Sequence, residues 1–375
     1  MQKGNIKLSL MIGPAIPIPV PKAIIDALTS VRVTSAAGEA SGFQLTFSFS
    51  NKSPLNTLLL LLGQAGPFIR TIILLTMNGR KEVLMDGVIT NHEVTPGVGT
   101  GLSTFTITGS DLTALMDFVE FTGIPYPAMP AEARVALIIA KYAVFGMIPL
   151  IIPSLFTDIP IPIQSIPVHK GTDLSYIKQL AEDAGYIFYI EPGPAPGTNI
   201  AYWGPEIKVG IPQPALNTNM DAHTNIDSLN FSFSGTTKTI PIVFIQNQET
   251  RVPIPIPIPD IGLLNPPLGL LPPFPIKFKL LKDTAKLSPM KAIGKGLAEA
   301  SNTSEAVTGK GSLNVMKYGH ILKARRLVGV RGAGYAFNGL YFVKSVTHNI
   351  KNGEYKQDFT LTRNGLISTV PKVPV

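Results

Sequence analysis

The chain has 375 residues, enough for two or three domains each with a core of its own. Only 15% of its residues are Asp, Glu, Lys or Arg, against about 25% in an ordinary globular protein, while 45% are hydrophobic, a balance that suits a subunit buried among partners better than a free monomer. The absence of cysteine excludes disulfides, thiolate zinc sites and cysteine nucleophiles, and 34 Gly beside 34 Pro exclude an all-helical protein.

At the amino terminus, Lys3 and Lys7 precede an apolar stretch, but Pro14, Pro17, Pro19 and Pro21 break it and no small-x-small site follows, so it does not read as a secretory signal. Strands are predicted over 31–33, 43–49, 68–76, 82–94 and 102–108, which makes residues 1–118 a first β domain, a β-barrel by the family resemblance drawn below. Within it Val88-Ile89-Thr90-Asn91-His92-Glu93-Val94, a Gly-rich break and Phe105-Thr106-Ile107-Thr108 alternate apolar with polar residues, the period of a half-buried hairpin. The break, Gly97-Val98-Gly99-Thr100-Gly101, feeds a strand instead of the helix that a phosphate-binding loop requires.

Residues 119–219 read as a small α/β module. Pro130 opens a helix-favouring run over 131–145 that stops at Gly146. Thr172 or Asp173 caps a second helix over 173–184, with Leu174, Ile177, Leu180, Ala181 and Ala184 on one face and Gly185 as its left-handed stop. A strand over 186–190 follows. The apolar stretches 55–75 and 135–156 are interrupted by Gly63, Gln64, Pro67 and Arg70 in the first and by Lys141, Gly146, Pro149 and Pro153 in the second, so neither is predicted to insert stably into a membrane.

A second β domain, likewise a β-barrel by that resemblance, is predicted over 220–245 plus 312–368, split by a Pro-rich insertion over 246–311 that contains Pro253-Ile254-Pro255-Ile256-Pro257-Ile258-Pro259. Each proline removes a ladder donor, so this run is extended or polyproline-like and not a central strand. The hairpin of the first domain recurs as Ser345-Val346-Thr347-His348-Asn349-Ile350, a break at Asn352-Gly353, and Phe359-Thr360-Leu361-Thr362. His92 and His348 fall at comparable places in the two copies. A further echo links Phe43-Gln44-Leu45-Thr46-Phe47-Ser48-Phe49-Ser50 with Leu229-Asn230-Phe231-Ser232-Phe233-Ser234. The positive charge is concentrated in residues 310–375, which hold eleven Lys and Arg against Glu354 and Asp358. Without a nucleic-acid motif beside it, this basic face reads as a solvated or partner-facing surface.

No constellation for chemistry emerges. His92, His169, His223, His320 and His348 form no metal-ligand spacing, Asp221-Ala222-His223 supplies at most two ligands, and no GxSxG or identifiable acid–base carboxylate pair is present. No catalytic, cofactor-binding or metal residue is therefore predicted, and no small-molecule substrate.

Gly171-Thr172-Asp173-Leu174, Leu180-Ala181-Glu182 and Gly185-Tyr186-Ile187-Phe188-Tyr189 together resemble the signature of the phage late control protein D family, the baseplate hubs of contractile tails. The segment Gly334-Tyr335-Ala336-Phe337-Asn338-Gly339-Leu340-Tyr341-Phe342-Val343-Lys344, the ending Phe359-Thr360-Leu361-Thr362-Arg363-Asn364-Gly365-Leu366 and the 84–116 region resemble it too. The resemblance implies an α+β, β-dominated fold with two similar barrels per subunit and a non-enzymatic homotrimer that presents six quasi-equivalent domains, joining a six-fold tail tube to a three-fold spike. Implied partners are the tail tube, a spike protein and surrounding wedge or adaptor proteins. The implied location is a phage tail or contractile injection particle assembled in the bacterial cytoplasm. Because the sequence ends at Val375, soon after the last expected hub strand, the spike is expected on a separate polypeptide. Rival readings are a membrane-associated β protein anchored by 135–156 and a tail-associated cell-wall hydrolase.

Overall fold

The computed structural model describes residues 2–3, 6–38, 40–50, 53, 68–97, 102–154, 166–236, 238–246, 252–259, 266–282, 284, 289–302 and 305–370. The Gly-rich break and most of the 55–75 apolar stretch lie wholly or partly outside them. Strands dominate. The first sheet is built from β1 (Ile6–Gly13), β2 (Leu28–Ala36), β3 (Gly42–Phe49), β4 (Arg70–Met77), β5 (Arg80–Thr95) and β6 (Ser103–Asp111). Their spatial order is β1-β4-β5-β6-β3-β2, and every neighbouring pair is antiparallel. Alternation sets the inner face: in β3, Phe43, Leu45, Phe47 and Phe49 are buried while Gln44, Thr46 and Ser48 look outward. A short helix, α1 (Lys22–Asp26), contacts both β1 and β2, the two ends of that order.

The α/β module follows, with α2 (Ala131–Ala140), β7 (Met147–Ile151), α3 (Asp173–Ala184), β8 (Ile187–Pro192) and β9 (Asn199–Gly204). α2 stops six residues before Gly146, because a 3₁₀ turn, Ala143–Phe145, intervenes before Gly146 takes the left-handed conformation at φ 71°. That glycine is required: a Cβ there would lie 1.9 Å from the Gly197 carbonyl oxygen. The Thr172 side chain accepts from the Ser175 amide and Gly185 ends α3 at φ 73°, so both boundaries of this helix are set by capping. Its apolar face meets Val135, Ile138 and Ile139 of α2 and the fully buried Trp203 of β9 in a core separate from that of the sheets.

The second sheet opens with β10 (Gln213–Asn217) and β11 (Ser228–Phe233). The chain then leaves it for β12 (Thr239–Gln246), β13 (Pro253–Pro257), β14 (Gly269–Leu271), β15 (Lys277–Leu280) and α4 (Pro289–Asn302). It returns as β16 (Val307–Asn314), β17 (Leu327–Arg331), β18 (Gly339–Lys351) and β19 (Glu354–Arg363), with β20 (Leu366–Ser368) pairing back to β14. Two corrections follow. Strand 239–246, expected in the second barrel, instead centres a three-stranded sheet, β13-β12-β15, whose core is Val243, Ile258, Leu281 and Ala292 of α4. The insertion is thus a folded α/β unit, while its Ile-Pro run is, as expected, extended and not central: it is an edge strand. Pairing explains how: Ile254 and Ile256 lie opposite Ile245 and Val243, and in an edge strand alternate amides face the neighbour, so prolines two apart all stand where a donor is dispensable.

The spatial order of the second sheet is β10-β17-β18-β19-β16-β11. Ranked by position in the chain, both sheets read first-fourth-fifth-sixth-third-second. Five of the six strands agree in direction as well; the exception is the first, antiparallel to the fourth in one sheet (β1 on β4) and parallel in the other (β10 on β17). Irregularities coincide too. In the first hairpin Thr90 is an extra residue between the rungs Ile89–Gly109 and Asn91–Thr108; in the second Lys344 is extra between Val343–Leu361 and Ser345–Thr360. The residue before each bulge donates its amide to the residue just ahead of the fourth strand, Ile89 to Ile69 and Val343 to Arg326, both at 2.9 Å.

This register corrects two sequence expectations. The bulges align His92 with Val346 and His348 with Val94, so the two histidines are not equivalent. The echo of 43–50 in 229–234 matches a third strand to a second one, since β3 corresponds to β16 and β11 to β2.

Candidate functional site at the seam between the sheets

The two sheets are joined edge to edge. β2 pairs antiparallel with the second half of β18, from Ala36–Ser345 to Ser30–Lys351, so a single hydrogen-bonded path runs through both. On its inner side Val31, Val33, Val346 and Ile350 are all at most 4% exposed and join one apolar cluster that includes residues of both sheets. Burying each such side chain contributes about 1.5–3 kcal/mol relative to leaving it in water. On the outer side the Thr34 and Thr347 hydroxyls meet at 3.1 Å.

His348 sits on this seam opposite Val33. Its Nδ1 is 2.7 Å from the Tyr355 hydroxyl and 3.4 Å from Gln357 Nε2, while Gln357 also accepts from the Leu322 amide and donates to the Leu322 carbonyl. Burial, with a smaller contribution from Lys323, pushes the imidazole down to about 4, so it is neutral at physiological pH. The seam therefore carries a buried, neutral histidine with a structural role.

Arginines fix the seam and the module. Arg325, at φ 61°, donates to the Ala36 carbonyl at 2.6 Å, lies 4.1 Å over the Tyr189 ring and 3.8 Å from Glu191. The guanidinium thus touches the first sheet and β8, while the Arg325 backbone amide donates to the Val343 carbonyl of β18 at 2.8 Å. Arg70 makes a two-pronged pair with Asp86 at 2.7 and 2.6 Å, then donates to the carbonyls of Ala15, Phe145 and Gly197. Asn199 donates to the same carboxylate at 2.9 Å. Arg70 is 3% exposed, so this cluster is a dry junction between the first sheet and the module. Glu305, although burial works to raise it, is held below the usual carboxylate range by Lys208 and Lys344.

The most chemistry-like group lies in the module. Asp173 accepts from Lys141 Nζ and the Tyr142 hydroxyl, each at 2.7 Å, and His169 Nε2 is 3.5 Å away; His169 Nδ1 is 3.0 Å from the Tyr126 hydroxyl. Both Asp173 and His169 have no solvent-exposed side-chain surface, and burial pushes the imidazole down. The group braces the end of α2 against the start of α3 and offers no access for a substrate. It escaped the sequence pattern because Lys141 and Asp173 are 32 residues apart. His92, His223 and His320 are exposed and scattered. Asp221–His223 forms an exposed 3₁₀ turn, and among the described residues no three His, Asp or Glu are grouped to hold a metal ion. No described helix is long and apolar enough to cross a membrane.

The sequence matches no family model and no curated protein. The structure does have relatives. It superposes on the tail protein from Neisseria meningitidis MC58 with a TM-score of 0.61 at 11% identity, covering 97% of this chain and 98% of that one. The chain has the fold of phage tail proteins. The same fold is seen in the 43 kDa tail protein of prophage MuSo2 from Shewanella oneidensis, with a TM-score of 0.61 at 11% identity and coverage of 96% and 98%. The E. coli c3393 protein, a component of the type VI secretion system, is similar with a TM-score of 0.51 at 11% identity over 93% of this chain and 78% of its own. At 11% identity, what these relatives share with this chain is the fold.

Proposed function

We propose that the chain is the structural baseplate hub of a phage tail or contractile injection system, acting as a homotrimer that adapts a six-fold tail tube to a three-fold spike. The observation that carries this reading is the repeated strand order with its matching bulge, on two sheets already fused edge to edge. An adaptor between six-fold and three-fold partners needs two like surfaces per chain, and three copies of such a chain offer six. In this reading residues 1–118 form the first barrel domain, 119–212 the module, and 213–238 with 305–368 the second barrel, since β10 pairs in the second sheet and not with the module to which 119–219 would assign it; the folded insertion of 239–302 projects from that barrel. Its partners are the tube, a spike protein and wedge or adaptor proteins, and its place is the particle's baseplate. It catalyses no reaction: the polar clusters that resemble chemistry are buried braces. The low density of charged residues fits a surface largely covered in an assembly.

The test is the mass of the purified protein by sedimentation or native mass spectrometry. A trimer of the 40.2 kDa chain is expected; a stable monomer at high concentration refutes the reading.

A further inference from the structure

The seam inside one chain specifies a second seam between chains. β2, the second strand of the first sheet, has neighbours on both edges, β3 and β18. Its counterpart β11 pairs only with β16 among the described residues and ends the path of paired strands. The partner side shows the complementary vacancy. β18 uses residues 339–342 to pair with β17 and residues 345–351, on the same edge, to receive β2. Its counterpart β5 uses Arg80 to Val88 to pair with β4, and beyond the bulge Thr90 to Thr95 are exposed, with β6 on one edge and no described strand on the other. Among the described residues each chain therefore carries a strand edge and a berth without a paired strand, and these match the two halves of a contact it already makes internally.

We infer that β11 of one chain pairs antiparallel with residues 90–95 of β5 in a second copy, in the register of the internal seam. This rests on the trimeric hub reading and names its interface. The register follows from shared rungs. The residues opposite the bulges equate Thr108 with Thr360; their partners equate Gln44 with Lys310, and the next rungs equate Arg32 with Asn230. Transposing the internal rungs Thr34–Thr347, Val33–His348 and Ser35–Val346 places Ser232 opposite Glu93, Phe231 opposite Val94 and Phe233 opposite His92. The side chains suit these places. Val94 and Phe233 are each 42% exposed in the single chain and fall on the face that corresponds to the buried side of the internal seam. Glu93 and Ser232 fall on its outer, polar side. The contact is heterologous, one surface meeting a different one, so it propagates head to tail and closes into a ring when the rotation permits. It also covers a strand edge that would otherwise template aggregation.

The absence of cysteine makes the test direct. The Ala37 amide donates to the Lys344 carbonyl at 2.8 Å, just outside the Ala36–Ser345 rung, which makes that rung a non-hydrogen-bonded pair and, by alternation, Thr34–Thr347 another. Glu93–Ser232 is then of the same close type, whose geometry accepts a disulfide. The variant E93C/S232C of the full chain, oxidised in solution, is expected to give disulfide-linked species running up to three chains on a non-reducing gel. T34C/T347C is the positive control and should close within one chain without a mass change. Cross-linking by E93C/S232C at least tenfold above that of E93C/S228C, which is out of register, supports the seam. A protein that sediments as a trimer yet fails to link, or links equally in both pairs, overturns the seam and leaves the hub reading standing. A monomer without links overturns both.

Discussion

His348 gives the seam a measurable acid sensitivity. The residue is 5% exposed and its folded value of about 4 lies below the ordinary 6.5, so the unfolded chain takes up a proton that the folded chain refuses. Stability from this site is complete above pH 6.5 and is lost as pH falls toward about 4, below which both states are protonated. Between pH 7.5 and 4.5 the linkage relation gives a loss of about 2.5 kcal/mol, because each decade of pH in this window costs close to 1.4 kcal/mol. The assay is urea unfolding at both pH values for the native chain and His348→Gln. Gln cannot take up the proton, while every carboxylate contributes alike to both proteins. The pH-dependent loss should therefore be smaller in the variant by about 2.5 kcal/mol. An equal loss in both refutes the claim that this histidine is held neutral on the seam.

Three other outcomes are expected. Arg70→Met strands the buried Asp86 carboxylate and should cost about 3–5 kcal/mol, whereas Arg70→Met with Asp86→Leu should recover much of it; thermal unfolding of the two variants decides. Gly146→Ala meets the Gly197 carbonyl in a left-handed backbone and should destabilise by more than about 1 kcal/mol, read as a lowered urea midpoint. Thr172→Ala removes the cap that receives the Ser175 amide and should cost about 1 kcal/mol by the same measurement.

Local signals were legible in the sequence. Capping chemistry at Thr172 and Gly185 marked α3, and the alternation around Val88 and Phe359 marked both hairpins. Period-two alternation reports which face a residue takes and not which neighbour its strand pairs with, so the Phe and Ser of 43–49 looked like those of 229–233 although the strands rank third and second. The bulges at Thr90 and Lys344 depend on pairing across the hairpin and left no residue signature, which misaligned His92 with His348. β1 and β10 were missed beside prolines, and α4 lay inside the run read as a Pro-rich insertion; its Gly296 stands where a Cβ would strike Ile258 and Val243. Arg70 and Asp86 lie 16 residues apart on adjacent strands, and their union with Phe145, Gly197 and Asn199 exists only in three dimensions.

The account turns on two like domains per chain arranged around one axis. Electron microscopy of the purified protein examines that arrangement directly. Class averages should show a ring of six similar lobes made by three chains, with the 239–302 units projecting at three positions. Images of single two-lobed particles, or a ring with any other number of chains, contradict it.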